Sequence, residues 1–181
     1  MRNFSEGLAS IQTMDKKFGF IDLKGELVIP SKFSAVGHFK NGLAWAKDES
    51  GKAGFINKAG NWVVQPEFDA VKSFDEVSGM ARVKKGDQWY YVNQTGETLM
   101  VDSDAYWDFS EGLCQGEKNG LRGYFNNKAE WVIAPQFTDA KKFVNGQALA
   151  KVNGKWGIID KTGKWVMEAK FDVIKEVEVL E

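Results

Sequence analysis

Lys155-Trp156-Gly157-Ile158-Ile159-Asp160-Lys161-Thr162-Gly163-Lys164-Trp165 holds two short apolar segments and the link between them. Trp156 to Ile159 is aromatic and β-branched, and a second such segment, Trp165-Val166-Met167, begins just after the link. Segments of this length and composition, bounded by turn residues, read as strands. Asp160 can bond its own backbone two residues on. Gly163, three residues after Asp160, suits the left-handed position of a type I turn with a G1 bulge. The stretch therefore predicts a β-hairpin.

The same block recurs upstream. Phe18-Gly19-Phe20-Ile21-Asp22, Ala53-Gly54-Phe55-Ile56-Asn57, Trp89-Tyr90-Tyr91-Val92-Asn93 and Arg122-Gly123-Tyr124-Phe125-Asn126 are its counterparts. Three residues after each Asp or Asn stands Gly25, Gly60, Gly96, Ala129 or Gly163. Ala129 is expected to be strained there unless its turn shifts. An apolar triplet follows in four copies: Leu27-Val28-Ile29, Trp62-Val63-Val64, Trp131-Val132-Ile133 and Trp165-Val166-Met167. Pro30, Pro66 and Pro135 read as one repeat position at a strand end, where a missing donor costs little. Upstream of each block lies a Phe, at Phe4, Phe39, Phe74, Phe109 and Phe143, spaced by 35, 35, 35 and 34 residues. A Gly follows each Phe (Gly7, Gly42, Gly79, Gly112, Gly146), then a small side chain (Ala9, Ala44, Ala81, Cys114, Ala148). Further hairpin turns are expected at Asn153-Gly154 and at Lys40-Asn41-Gly42 and its equivalents. No segment sustains a helical period. Residues 1–181 read as a single all-β domain of five antiparallel meander repeats of about 35 residues.

The segment Lys155 to Lys164, with its flanking Phe-x-x-Gly-Leu-Ala pattern as in Phe4-Ser5-Glu6-Gly7-Leu8-Ala9, resembles the bacterial WG (KWG) repeat. The resemblance spans essentially the whole chain. The Trp itself stands in two of the five copies, with Phe18, Ala53 and Arg122 in the others, and repeat 3 replaces the Gly by Tyr90. The resemblance implies a bacterial, all-β repeat protein. It carries over no catalytic residue, because the motif is structural.

One repeat cannot bury its apolar face alone, so neighbours must share a core. A closed five-bladed β-propeller and an open β-hairpin solenoid both achieve this. The ends favour closure. The first repeat lacks a counterpart of Phe33-Ser34-Ala35-Val36-Gly37-His38, and the C-terminus carries a spare version beginning Phe171-Asp172-Val173-Ile174. A strand over 171–179 is expected to close onto the first repeat.

Composition narrows the function. With 24 Lys plus Arg against 25 Asp plus Glu, net charge is -1, which argues against an electrostatic reader of nucleic acid. No apolar run approaches the roughly 18 residues of a membrane helix. One Cys and one His leave no disulfide framework, no Cys/His zinc site, and no His-dependent catalytic site away from His38. No catalytic, cofactor or metal residue is assigned, and a monomer is expected. The N-terminus shows no apolar leader, which fits a cytoplasmic protein if the chain is complete and an exported or cell-envelope protein if a signal peptide was removed.

His38 precedes Phe39 where other repeats have Ser73, Asp108 and Lys142, a variety that suggests exposure. Cys114 replaces Ala and reads as a small core residue. Asp22, Asn57, Asn93, Asn126 and Asp160 are explained by their turns. Trp62, Trp131 and Trp165 share a position, which suggests packing between repeats. Trp45 and Trp107 match no repeated Trp, so the shared packing does not require them. The degenerate third repeat also carries Asp102, Asp104 and Asp108. A repeat that breaks a shared rule is where a specialised site is expected, although drift explains it as well. The candidate patch is therefore Trp107, Tyr106, Asp102 and Asp104, with Trp45. Its expected use is to recognise a protein or peptide. Stacking on a cell-envelope glycan is the alternative, and acid chemistry by the Asp cluster a remote one.

Overall fold

The computed structural model describes residues 4–174, which form strands and turns without a helix. The chain divides into two units, residues 1–100 and 101–181. In the first unit, β1 (Ala9–Gln12), β2 (Phe18–Ile21) and β3 (Leu27–Phe33) make a three-stranded sheet. A second sheet holds β4 (Ala35–Val36), β5 (Leu43–Lys47), β6 (Ala53–Asn57) and β7 (Trp62–Phe68). A third holds β8 (Ala70–Val71), β9 (Met80–Lys85), β10 (Gln88–Asn93) and β11 (Thr98–Leu99). The second unit contains a sheet of β12 (Ala105–Ser110), β13 (Leu113–Lys118), β14 (Leu121–Phe125) and β15 (Trp131–Phe137). Its other sheet is β16 (Asp139–Ala140), β17 (Gln147–Val152), β18 (Lys155–Asp160) and β19 (Trp165–Phe171). Every sheet is an antiparallel meander in chain order. Phe171 ends β19, and of the closing strand expected over 171–179, residues 175–179 lie outside the described residues.

Local chemistry accounts for the turns. In all five copies the Asp or Asn side chain accepts the N–H groups two and four residues on, as Asp160 Oδ1 does from Thr162 (2.9 Å) and Lys164 (3.1 Å). Gly163 takes φ 85° there. Ala129 keeps the same turn at φ 63°, so the turn does not shift and the strain is borne by Ala129. Asn41-Gly42, Asn145-Gly146 and Asn153-Gly154 have positive φ at both residues, the geometry of a type I′ hairpin turn.

The repeated Gly has a steric reason. A Cβ on Gly54 would lie 2.4 Å from the Val64 carbonyl oxygen, and one on Gly157 would lie 2.5 Å from that of Met167. At this point the long strand bulges. Phe55 pairs Val64 and Ala53 pairs Phe68, so three residues, Gln65 to Glu67, oppose Gly54 alone. The prolines lie inside this bulge rather than at a strand end. Pro66 and Pro135 are its second residue, whereas Pro30 is its first, so the three do not share one position. A bulge residue is outside the regular ladder, which is why a missing N–H is tolerated. Repeat 3 has Tyr90 instead of Gly, and there the long bulged strand is replaced by the two-residue β11.

Cores form between successive sheets. In the first unit Phe20, Ile29, Phe33, Phe39, Ala44 and Ile56 make one buried cluster, and Phe55, Val64, Phe68, Phe74, Ala81 and Val92 another. In the second unit Tyr124, Ile133, Phe137, Phe143, Ala148 and Ile159 cluster in the same way. Three landmark Phe meet a ring of the preceding repeat: Phe39 with Phe20 at 4.9 Å, Phe74 with Phe55 at 4.4 Å, Phe143 with Tyr124 at 4.7 Å. Phe109 meets Phe125 of its own repeat at 5.7 Å. Trp62 packs edge-on to Phe33, and Trp165 to Phe137, which is the inter-repeat role expected of this position. Trp131 meets Phe125 of its own repeat.

A polar clip crosses the same junctions. Glu111 accepts the Asn145 and Gly146 N–H groups at 2.6 and 2.9 Å, and Lys161 pairs with it at 3.3 Å. Glu6 repeats the arrangement with the Gly42 N–H and Lys58.

Candidate binding site

Trp107 lies on β12, at the repeat position held by Gly37, Lys72 and Lys141 in other copies. Arg122 lies on β14, at the position of Trp89 and Trp156. Its guanidinium stacks on the Trp107 ring at 4.7 Å. Glu117 (3.4 Å) and Asp139 hold the guanidinium from the side. Trp107, Arg122, Gln115, Lys141 and Lys142 line a cavity of about 320 Å³ with Asp108. A second cavity of about 340 Å³ shares Lys141 and Lys142 and is otherwise walled by Val144, Ala148, Leu149, Ile158 and Gln147. The backbone between the two is fixed, because the Tyr124 hydroxyl donates to the Lys141 carbonyl at 2.5 Å. Burial pushes the Tyr124 phenol well above its ordinary value, so it stays protonated as a donor.

The expected patch is brought together only in part. Trp107 is half-buried and lines the cavity. Tyr106, its neighbour on β12, is half-buried and does not line it. Asp102 is exposed and ion-paired with Lys118, and Asp104 accepts the Asn119 N–H at 2.7 Å. Asp104 therefore clamps a hairpin turn, as Asp69 does by accepting the Gly86 N–H at 2.8 Å in the third sheet. Lys52, then that N–H, hold the Asp69 carboxyl below the usual carboxylate range. Asp104 is in this sense a repeated structural residue. Trp45 stands on β5 in the first unit, where a Cβ on Gly37 would lie 2.2 Å from its Nε1. It covers a glycine in its own sheet.

Cys114 is fully buried, as expected, with its thiol directed at the Trp107 carbonyl at 3.0 Å. His38 is exposed. Among the described residues no three His, Cys, Asp or Glu side chains converge as ligands for a metal ion. Sequence reasoning missed Arg122, Lys141 and Lys142. The available signal was that Arg122 replaces the motif Trp, and that Lys141-Lys142 stand where other repeats have Gly37-His38 or Trp107-Asp108.

Residues 18–52, 54–89, 123–156 and 156–178 match the WG containing repeat. The chain belongs to the WG repeat family. No curated protein matches it. Among solved structures, a eukaryotic initiation factor superposes with a TM-score of 0.56 at 10% identity, covering 94% of this WG repeat chain and 54% of the other. A computationally designed protein, Ika8, gives 0.49 at 14% identity over 91% of this chain and 59% of its own. The extracellular domain of a hybrid two component system from B. thetaiotaomicron gives 0.41 at 13% identity, over 91% and 28%. The WG repeat chain thus spans somewhat over half the length of the first two, and likeness at these identities concerns the fold alone.

Proposed function

We propose that this WG repeat chain is a non-catalytic binding module for a protein or peptide partner. The observation that carries the reading is the double cavity of the second unit, in which the polar and aromatic half at Trp107 and Arg122 adjoins the aliphatic half at Leu149 and Ile158. A polypeptide presents both kinds of group on adjacent residues, and aromatic and Arg side chains are the usual anchors of such interfaces. The glycan alternative has less support, because Arg122 already occupies a face of the Trp107 ring on which a sugar would stack. The test is to apply the fluorescent full chain to a random-peptide array and a glycan array in parallel. Binding to peptides, weakened by Trp107→Ala with little change in melting temperature, is the expected result. Signal confined to glycans overturns the reading. A Trp107→Ala destabilisation near the roughly 3–5 kcal/mol of a buried aromatic makes Trp107 a packing residue.

A further inference from the structure

Lys141 and Lys142 belong to both cavities, and they differ from Arg122 in a way that specifies the partner. Arg122 is neutralised by Glu117 and Asp139. Among the described residues neither lysine forms an ion pair. The Lys141 ammonium instead leans over the Trp156 ring, 5.8 Å from its centroid, with Lys151 at 5.6 Å on the same ring. An aromatic quadrupole attracts a cation without neutralising it, so the positive charge remains available. Immediately beside these cations the surface turns aliphatic, with Val144 53% exposed and Leu149 and Ile158 lining the second cavity.

Resting on the peptide-binding reading, we infer that the occupant is an acidic peptide. Its carboxylates lie against Lys141 and Lys142, and a neighbouring Leu, Ile or aromatic side chain enters the cavity at Leu149 and Ile158. Charge complementarity sets the sign, and the aliphatic half favours a polypeptide over a nucleic acid, whose phosphates would use the lysines and leave Val144, Leu149 and Ile158 unmatched.

Peptides retained on the random array are synthesised with a fluorescent label and titrated with the full chain. The expected sequences place Asp or Glu beside an apolar residue. Their affinity falls about tenfold or more in Lys141→Glu/Lys142→Glu, at unchanged melting temperature, and falls again as salt rises from about 50 to about 300 mM. The milder Lys141→Gln/Lys142→Gln variant gives an intermediate loss, which separates charge from damage to the fold. Neutral or basic peptides, or affinities indifferent to both double variants, overturn the acidic assignment and leave the binding module standing. An oligouridylate that binds more tightly than any peptide and is lost in the same variants assigns the lysines to nucleic acid instead. No retained peptide at all overturns the binding reading itself.

Discussion

Ala129 at φ 63° is the most economical test of the turn chemistry. A left-handed L-residue costs roughly 1–2 kcal/mol, partly offset by the greater unfolded-state freedom of Gly. Ala129→Gly will therefore raise stability by about 0.5–1 kcal/mol, a gain of a few degrees in a chain of this size, measurable by calorimetry. The opposite holds at the motif Gly. Gly157→Ala sets a methyl 2.5 Å from the Met167 carbonyl oxygen, against backbone that cannot rotate away. A loss at or above the roughly 1–3 kcal/mol of ordinary overpacking is expected in denaturant titration, and a neutral result would mean the bulge is not maintained. At Cys114, Ala will be tolerated, since sister repeats use it, while Leu will cost about 1–3 kcal/mol. Fast labelling of the native thiol contradicts its burial. These positions were legible from sequence, because turn and small-residue requirements act over a few residues. The bulge was not. Its three-to-one pairing appears only once Gly54 faces Gln65 to Glu67, and that pairing displaces the prolines from the strand end where sequence placed them.

Two departures from the repeat are compensations between strands. Tyr90 removes the motif Gly, and the third sheet has Thr98 where Trp62 and Trp165 stand. The Tyr90 ring meets Phe68 of the preceding repeat at 6.3 Å, supplying from β10 the inter-repeat ring that Trp62 and Trp165 supply from the long strand in their sheets. The second exchange involves the two unpatterned tryptophans. In the second sheet Trp45 on β5 fills the space above Gly37, and in the fourth the corresponding positions are Gln115 on β13 and Trp107 on β12. One large and one small or polar side chain share each site, with the strands reversed. Trp45→Gln alone and Gly37→Trp alone will each destabilise the chain. The double variant will recover part of the loss, with a coupling of about 0.5–3 kcal/mol in a double-mutant cycle. Strict additivity would show that the two positions are independent. Sequence marked these residues as exceptions, but their exchange of size between strands appears only in the register. The cleft was hidden for the same reason, since Arg122, Lys141 and Trp107 come from three different strands or loops.

The carboxylates give the whole chain a common response to acid. Asp48 is held below its ordinary range by the Ser50 hydroxyl, Asp69 by Lys52, Glu111 by the Gly146 N–H, Asp160 by the Thr162 hydroxyl and Asp172 by Lys155. In the unfolded chain such groups titrate near pH 4, so between that value and the lower folded one the unfolded state binds more protons. Their stabilisation is complete above about pH 5 and is lost as pH falls through the folded values. The melting temperature will hold steady from neutrality to about pH 5 and drop on further acidification. Glu111→Gln will reduce the drop, since it removes one of the titrating clips. A melting temperature that rises on acidification contradicts the assignment.

The two-residue strands β4, β8 and β16 each open a sheet, yet in sequence each follows directly on the long strand of the repeat before. Chain copies and sheets are therefore out of phase. A segment of one repeat length, duplicated in frame by recombination, supplies the opening strand for whatever follows it, wherever the break falls. Such an event adds one complete sheet without demanding a new boundary. Array length can then change by whole sheets.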